Sequence, residues 1–335
     1  MRHDPKLSLG VSLIELLVAI TIGAVLLFGA TQVYVDSRKT YEINETTSRL
    51  QETARYAISV VEPDVRMANY WGFLKGAALI ADQAPQTGTS AGLPTTCGDN
   101  YARDLMLNID GRNNSYGRSA TLNFPADCGA HTGAIASADT LTVRRAAANT
   151  SASTANTLQI CSNRIQGRLF SDGGTCAPSP SGQVNDLVVH TYYVNKDSLQ
   201  EDGLPALRRK TLIAGPAVRD DEIIPGVEDM QVQFGIDPTG TSGVATRYID
   251  PDTLSAADQV VSVRVWFLVR SEKFEVGFID NRVYEYGDRV SADNGGCTVT
   301  NLNAAGAAGC AYAPADNFRR LLVSRTIQIR NALGT

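Results

Sequence analysis

The chain has 335 residues, 43% of them hydrophobic and 19% charged, which is enough apolar material to bury a sizeable core in one or two domains and excludes bulk disorder. A formal net charge of -5 and the lack of any basic stripe argue against a nucleic-acid partner, because phosphate binding is driven by clustered cations that release counterions.

From Val11 to Ala30 the sequence VSLIELLVAITIGAVLLFGA is apolar except for Glu15 and a few hydroxyl residues. At about 1.5 Å per residue, a helix of that length spans about 30 Å, enough to cross the hydrocarbon core of a bilayer. It is read as a membrane anchor. A secretory signal peptide calls for small residues before a cleavage site at the far end, where Phe28-Gly29-Ala30 places a bulky one. A core helix this long and this apolar is unusual. A plain signal anchor remains, and it leaves Glu15 unexplained. A charged residue inside a membrane costs at least about 2.5–3.5 kcal/mol, so an intramembrane acid implies a partner or a role. No cation lies in the span, so the expected partner is another chain, unless Glu15 is protonated or held near the interface.

Lys6-Leu7-Ser8-Leu9-Gly10, followed by Val11-Ser12-Leu13-Ile14-Glu15-Leu16-Leu17-Val18-Ala19, resembles the type III signal of type IV prepilins. The resemblance implies a leader of residues 1–10, cleavage after Gly10 by a prepilin peptidase, and methylation of the new N-terminus at Val11. It also implies that Glu15 neutralises the N-terminal amine of a neighbouring subunit. Pairing the two charges offsets much of the cost of burying either alone. This chain has Val11 where the family usually has Phe. Arg2 and Lys6 precede the span and Arg38 and Lys39 follow it, so the positive-inside count does not set orientation; the short leader favours a cytoplasmic N-terminus.

Beyond the span (residues 11–30), no Gly or Pro interrupts the sequence until Pro63. Ile43, Thr47, Leu50, Ala54, Ala57, Ile58 and Val61 recur at three- and four-residue steps. This stripe predicts one amphipathic helix from about Ser12 to near Tyr70, its upper half (31–72) packed on the chain's own C-terminal domain. Pro63 is expected to kink it or open a second short helix, and Gly72 to stop it.

From residue 73 to 335 the period changes to two. Val261, Val263, Val265, Phe267 and Val269 alternate with polar or bulky neighbours, as do Met230, Val232, Phe234 and Ile236, and Val323, Ile327 and Ile329. Leu187 to Val194 reads as a more central strand, with weaker strands near Thr140 to Arg144 and Leu207 to Leu212. One long helix followed by runs of strands gives an α+β fold with antiparallel sheet packed on the helix.

Lys75 to Ser137 and Ser291 to Ala315 are rich in small and polar residues and read as surface loops or an inserted subdomain. The six cysteines fall as three sequence-local pairs, Cys97 and Cys128, Cys161 and Cys176, Cys297 and Cys310, the first and third of them in these stretches. An even count and no C-x-x-C spacing favour disulfides over zinc, with pairing by proximity expected among about 15 connectivities. Free buried cysteines are the alternative.

Three further stretches resemble the PilW group of minor pilins: Leu50-Gln51-Glu52-Thr53-Ala54-Arg55-Tyr56-Ala57, the run from Ile224 to Asp237 (IPGVEDMQVQFGID), and the run from Arg319 to Asn331 (RRLLVSRTIQIRN). The resemblance implies a structural pilus subunit needed for assembly, twitching and adhesion. Its partners would be other minor pilins, the major pilin, the prepilin peptidase and the inner-membrane assembly platform. It would sit in the inner membrane by a single pass with its C-terminal domain in the periplasm, and in the surface pilus after assembly. A minor pseudopilin of type II secretion shares the N-terminus and is the alternative.

No enzyme chemistry competes well. Gly88-Thr89-Ser90-Ala91-Gly92 matches G-x-S-x-G but lacks the strand before and helix after that a nucleophile elbow needs. It leaves a membrane-anchored periplasmic binding protein or hydrolase as a third reading. Of the three histidines, His3 is in the leader, His131 in a loop and His190 on an apolar strand, none with a second ligand at metal spacing. Asp237, Asp250 and Asp252 follow no calcium-loop spacing. No Gly-rich phosphate loop ends in Gly-Lys-Ser/Thr. No catalytic residue, metal or cofactor is expected.

Overall fold

The structure is a computed structural model, and it describes residues 10, 12–83, 97–98, 100–119, 122–125, 128–176, 182–215, 217–255, 258–290 and 310–332. Val11, Cys297, His3 and the Gly88 to Gly92 loop lie outside the described residues. The chain divides into two compact units, Met1–Arg49 and Leu50–Thr335.

The first unit is helical. Helix α1 runs Leu13–Arg66, and the hydroxyls of Thr21, Thr31, Thr40, Thr46 and Thr47 donate back to carbonyls three or four residues earlier. Thr21 in the apolar stretch is thereby satisfied without water.

In the second unit the helix buries Leu50, Ala54, Ala57, Val61, Asp64 and Val65. It passes through Pro63 without a break, so no second short helix opens there; proline removes the hydrogen bond to the Ser59 carbonyl, and the helix ends within a turn of it. It stops at Arg66, before Gly72. Asn69 (φ 63°) supplies the left-handed residue just beyond the helix end.

Among the described residues fourteen strands follow: β1 (Ile80–Ala81), β2 (Ile109–Arg112), β3 (Gly117–Ser119), β4 (Leu122–Asn123), β5 (Thr140–Thr150), β6 (Ala155–Ser162), β7 (Gly167–Asp172), β8 (Gln183–Asn195), β9 (Ala206–Ile213), β10 (Ala217–Pro225), β11 (Val227–Asp237), β12 (Arg247–Ile249), β13 (Gln259–Arg270) and β14 (Arg320–Gln328). Three of the sequence-predicted strands are β11, β13 and β14. With β12 they make a four-stranded sheet in the order β12-β11-β13-β14, antiparallel throughout.

The central strand of the eight-stranded sheet is β8, as its continuous apolar run predicts. One edge pairs with β5; the other is shared, Gln183–Asp186 pairing with β6 and His190–Asn195 with β9. The path is β1-β7-β6-β8-β5-β2, and β10 extends β9. Among the described strands only β1 and β7 pair in parallel, over two residues, where Gly167 lets the chain approach: a Cβ there would stand 2.6 Å from a Leu74 methyl carbon. β3 and β4 form a separate short hairpin.

The main core lies between the helix stripe, the inner side chains of β11 and β13 (Met230, Val232, Phe234, Val263, Val265, Phe267), and Leu141, Val143, Tyr192 and Val194 of the larger sheet. A second core gathers Trp71, Tyr101, Leu105, Ile160, Leu187 and Val189. Disulfide Cys97–Cys128 belongs to this second core and Cys161–Cys176 links β6 to the chain after β7; Cys310 is also disulfide-bonded.

Candidate functional site

The first unit exposes a continuous apolar surface. Leu13, Ile14, Leu16, Leu17, Val18, Ile20, Val25, Leu26, Leu27 and Phe28 are all about half exposed or more, and no described residue covers them. Among the described residues this helix alone is long and apolar enough to cross a membrane. Its surface therefore needs lipid or other helices against it. Glu15 sits on it, exposed, with no ion pair to any described residue; Gly10 is exposed just before the helix.

In the second unit, two of the stretches singled out in the sequence meet. Arg320, at the start of β14, reaches Glu228, at the start of β11, with Nη2 donating to Oε1 at 2.9 Å. The same guanidinium donates to Asp316 at 2.6 and 2.7 Å and lies 3.7 Å from Asp280. Beside it, Asp229 Oδ2 accepts from Arg289 Nε at 2.7 Å and from the Tyr286 hydroxyl at 2.6 Å. Burial first, then the charge of Asp229, push the Tyr286 phenol well above its ordinary range, so it stays a donor. Arg320, Arg289, Glu228, Asp229 and Asp280 are all buried. These pairs hold the described parts of the long β13–β14 connection against the outer face of the four-stranded sheet, where Tyr284, Tyr286 and Tyr312 pack on Leu268.

A third polar centre lies at the end of α1. Asp64, 4% exposed, accepts from Arg145 of β5 (Nη2 to Oδ1, 2.7 Å) and from the Tyr192 hydroxyl of β8 (2.5 Å), while His190 Nδ1 of β8 lies 2.5 Å from Oδ2. Burial opposes the charge. The His190 hydrogen bond and charge, the Tyr192 hydroxyl and the Arg145 guanidinium outweigh burial and hold the carboxyl well below the usual carboxylate range. A depressed folded pKa contributes stability that is complete above the unfolded value of about 3.9 and is lost as pH falls toward the folded one. Unfolding of Asp64→Asn in urea should accordingly show a flatter acid limb below about pH 4 than the parent, although its midpoint near neutrality is lower. Parallel acid limbs would contradict the assignment.

His190 is thus a ligand of Asp64. The backbone N–H of His131 donates to the Tyr193 hydroxyl. Asp237 is consumed by its own turn, accepting from Thr239, Ser242 and Gly243, which depresses its pKa; Asp250 accepts from Gln233, and Asp252 from the Asn113 amide. Among the described residues no group of His, Cys, Asp and Glu is arranged to hold a metal. Sequence reading passed over Asp64, although a lone acid three residues after Val61 on an apolar stripe was a usable signal. The pairing of Glu228 with Arg320 spans 92 residues and had no local signal.

Residues 191–331, less than half of the chain, match the family model described as type IV pilus-assembly protein W (PilW). That segment contains β9 to β14 and both ends of the Glu228–Arg320 pair. Among solved structures the chain is similar to a type IV-like pilin from Thermus thermophilus, at 13% identity and a TM-score of 0.36, covering 85% of this chain and 97% of that one. No curated protein matches it in sequence.

Proposed function

We propose that the chain is a PilW-type minor pilin, held in the inner membrane by residues 11–30 with its head in the periplasm, and built into a type IV pilus or the complex that starts one. The match of residues 191–331 to the pilus-assembly family carries this reading. The uncovered apolar stretch of α1, with Glu15 as its single acid, and the prepilin-like sequence around Gly10 support it.

In this reading a prepilin peptidase cuts after Gly10, Val11 becomes the methylated N-terminus, and Glu15 meets the amine of a neighbouring subunit inside the bilayer, where pairing lowers the cost of both charges. The work is structural: a preformed helix and a large head lower the barrier to starting a fibre, with other minor pilins, the major pilin and the inner-membrane platform as partners. No cofactor or catalysis is involved.

A clean deletion tests this. Loss of surface fibres and twitching with normal exoprotein secretion is expected. Intact fibres with failed secretion would assign the chain to a type II pseudopilus instead, and no change in either would contradict the proposal.

A further inference from the structure

The eight-stranded sheet has an opening in it. On β5, Arg144 and Ala146 donate their backbone N–H groups away from β8, to Asn108 and Tyr70. Val143 and Arg145 are therefore the β5 residues whose backbone faces β8, and their partners His190 and Val188 turn their own backbone groups to β5. Leu187 and Val189 turn theirs to the opposite edge. There β6 pairs no further than Asp186 and β9 only from His190, so neither residue has a strand residue opposite it, although both are buried. The Gly215 N–H donates to the Asn156 carbonyl at 2.7 Å and closes the far side. A gap of this kind leaves backbone groups that need a polar partner, water or a ligand.

The residues around the opening line a cleft of about 510 Å³, a volume in the range of small-molecule sites. Val188 and Ile213 give it aliphatic walls, and Thr157 and Thr211 add hydroxyls. Its charged side chains are Arg145 and Asp186, which cancel, and apart from the His190 imidazole no ring lines it. Two acceptors are unspent. The ionised Asp64 carboxylate only accepts, so His190 Nδ1 carries the proton between them and Nε2 keeps a lone pair. Asp186 accepts from Ser151 and Gln159 through Oδ1, and Oδ2 accepts from no described residue. His190 and Asp186 are four residues apart on one strand, about 13 Å, too far for one metal ion to join.

We infer that this cleft binds a neutral, hydroxyl-rich ligand the size of one or two sugar rings. The lone pairs of His190 and Asp186 call for O–H donors. Hydroxyls, which both donate and accept, also serve the backbone groups at the gap in the sheet. The cancelled charge gives a phosphate or a metal ion no advantage, and the aliphatic walls suit the C–H faces of a saccharide. The inference does not rest on the pilin reading.

The test uses the full chain with isotope-labelled histidine, in a detergent without a sugar headgroup, titrated with glucose, galactose, N-acetylglucosamine, lactose and maltose. Replacing His3 and His131 by Gln identifies the His190 signals by NMR. The Nε2 resonance of His190 should move with at least one of these sugars. Ala214→Trp, at the exposed rim, should fill the cleft and weaken that binding on the order of tenfold or more. Thr157→Val removes one hydroxyl at nearly constant shape and should weaken it about fivefold. The two changes are independent, so a folding defect in one leaves the other to decide. A His190 signal that none of the sugars moves, or binding that neither substitution weakens, would overturn the inference.

Discussion

Replacing Arg320 by alanine should destabilise the second unit by about 3–5 kcal/mol, the cost of breaking a buried ion pair by removing one partner. Arg320 is buried and donates to both Glu228 and Asp316, with Asp280 at 3.7 Å. Without it Glu228 and Asp280, also buried, lose their common cation. Glu228 keeps the Tyr312 hydroxyl at 3.1 Å, and Asp280 keeps Tyr284 and Arg282. The described parts of the β13–β14 connection should loosen first, because those carboxylates are what tie them to the sheet. Urea unfolding, with hydrogen exchange reported separately for β13 and for residues 278–290, measures both effects. The control is Arg325→Ala on the same strand, whose exposed pair with Glu62 predicts a loss below about 1 kcal/mol. Similar losses for the two arginines would mean that the Glu228–Arg320 contact carries no special weight.

Glu15→Val should leave folding untouched and remove the chain from fibres. Glu15 has no partner among the described residues, so its loss costs the isolated subunit nothing; on the proposed reading it deprives a neighbour's N-terminal amine of its counter-charge within the bilayer. An uncompensated charge there costs at least about 2.5–3.5 kcal/mol on insertion scales, equivalent to a fall in incorporation on the order of 100-fold. The ratio of this chain in sheared fibres to that left in membranes reads the effect directly. Glu15→Gln, which keeps a hydrogen-bond acceptor, should fall between. A Glu15→Val chain that enters fibres normally would remove Glu15 from assembly.

The long helix and the strands β8, β11, β13 and β14 were legible because burial there follows from local period: three to four residues along the helix stripe, two along Val261 to Val269, none along Leu187 to Val194. β10 was not. Its sequence, AVRDDEIIP, has no apolar alternation, and it is a strand because register with β9 sets Asp220, Asp221 and Glu222 opposite Lys210, Arg209 and Arg208. Charge pairing across a hairpin depends on register, which a single strand's sequence does not state. β6 was hidden by a buried polar residue, Gln159, whose side-chain amide donates to Asp186 of β8, 27 residues away. At the sites the same division holds. The apolar span and its acid are contiguous and could be read; the Glu228–Arg320 and Asp64–His190 contacts join residues 92 and 126 apart and needed the fold.

On the pilin reading this chain is cut after Gly10 and enters a surface fibre, and mass spectrometry of sheared surface fibres checks both steps at once. The chain is expected there at low stoichiometry, with an N-terminal peptide beginning at Val11. A chain cut after Gly10 but confined to the membrane would move it to a priming role or a secretion pseudopilus, and an uncut chain confined to the membrane would overturn the pilin reading.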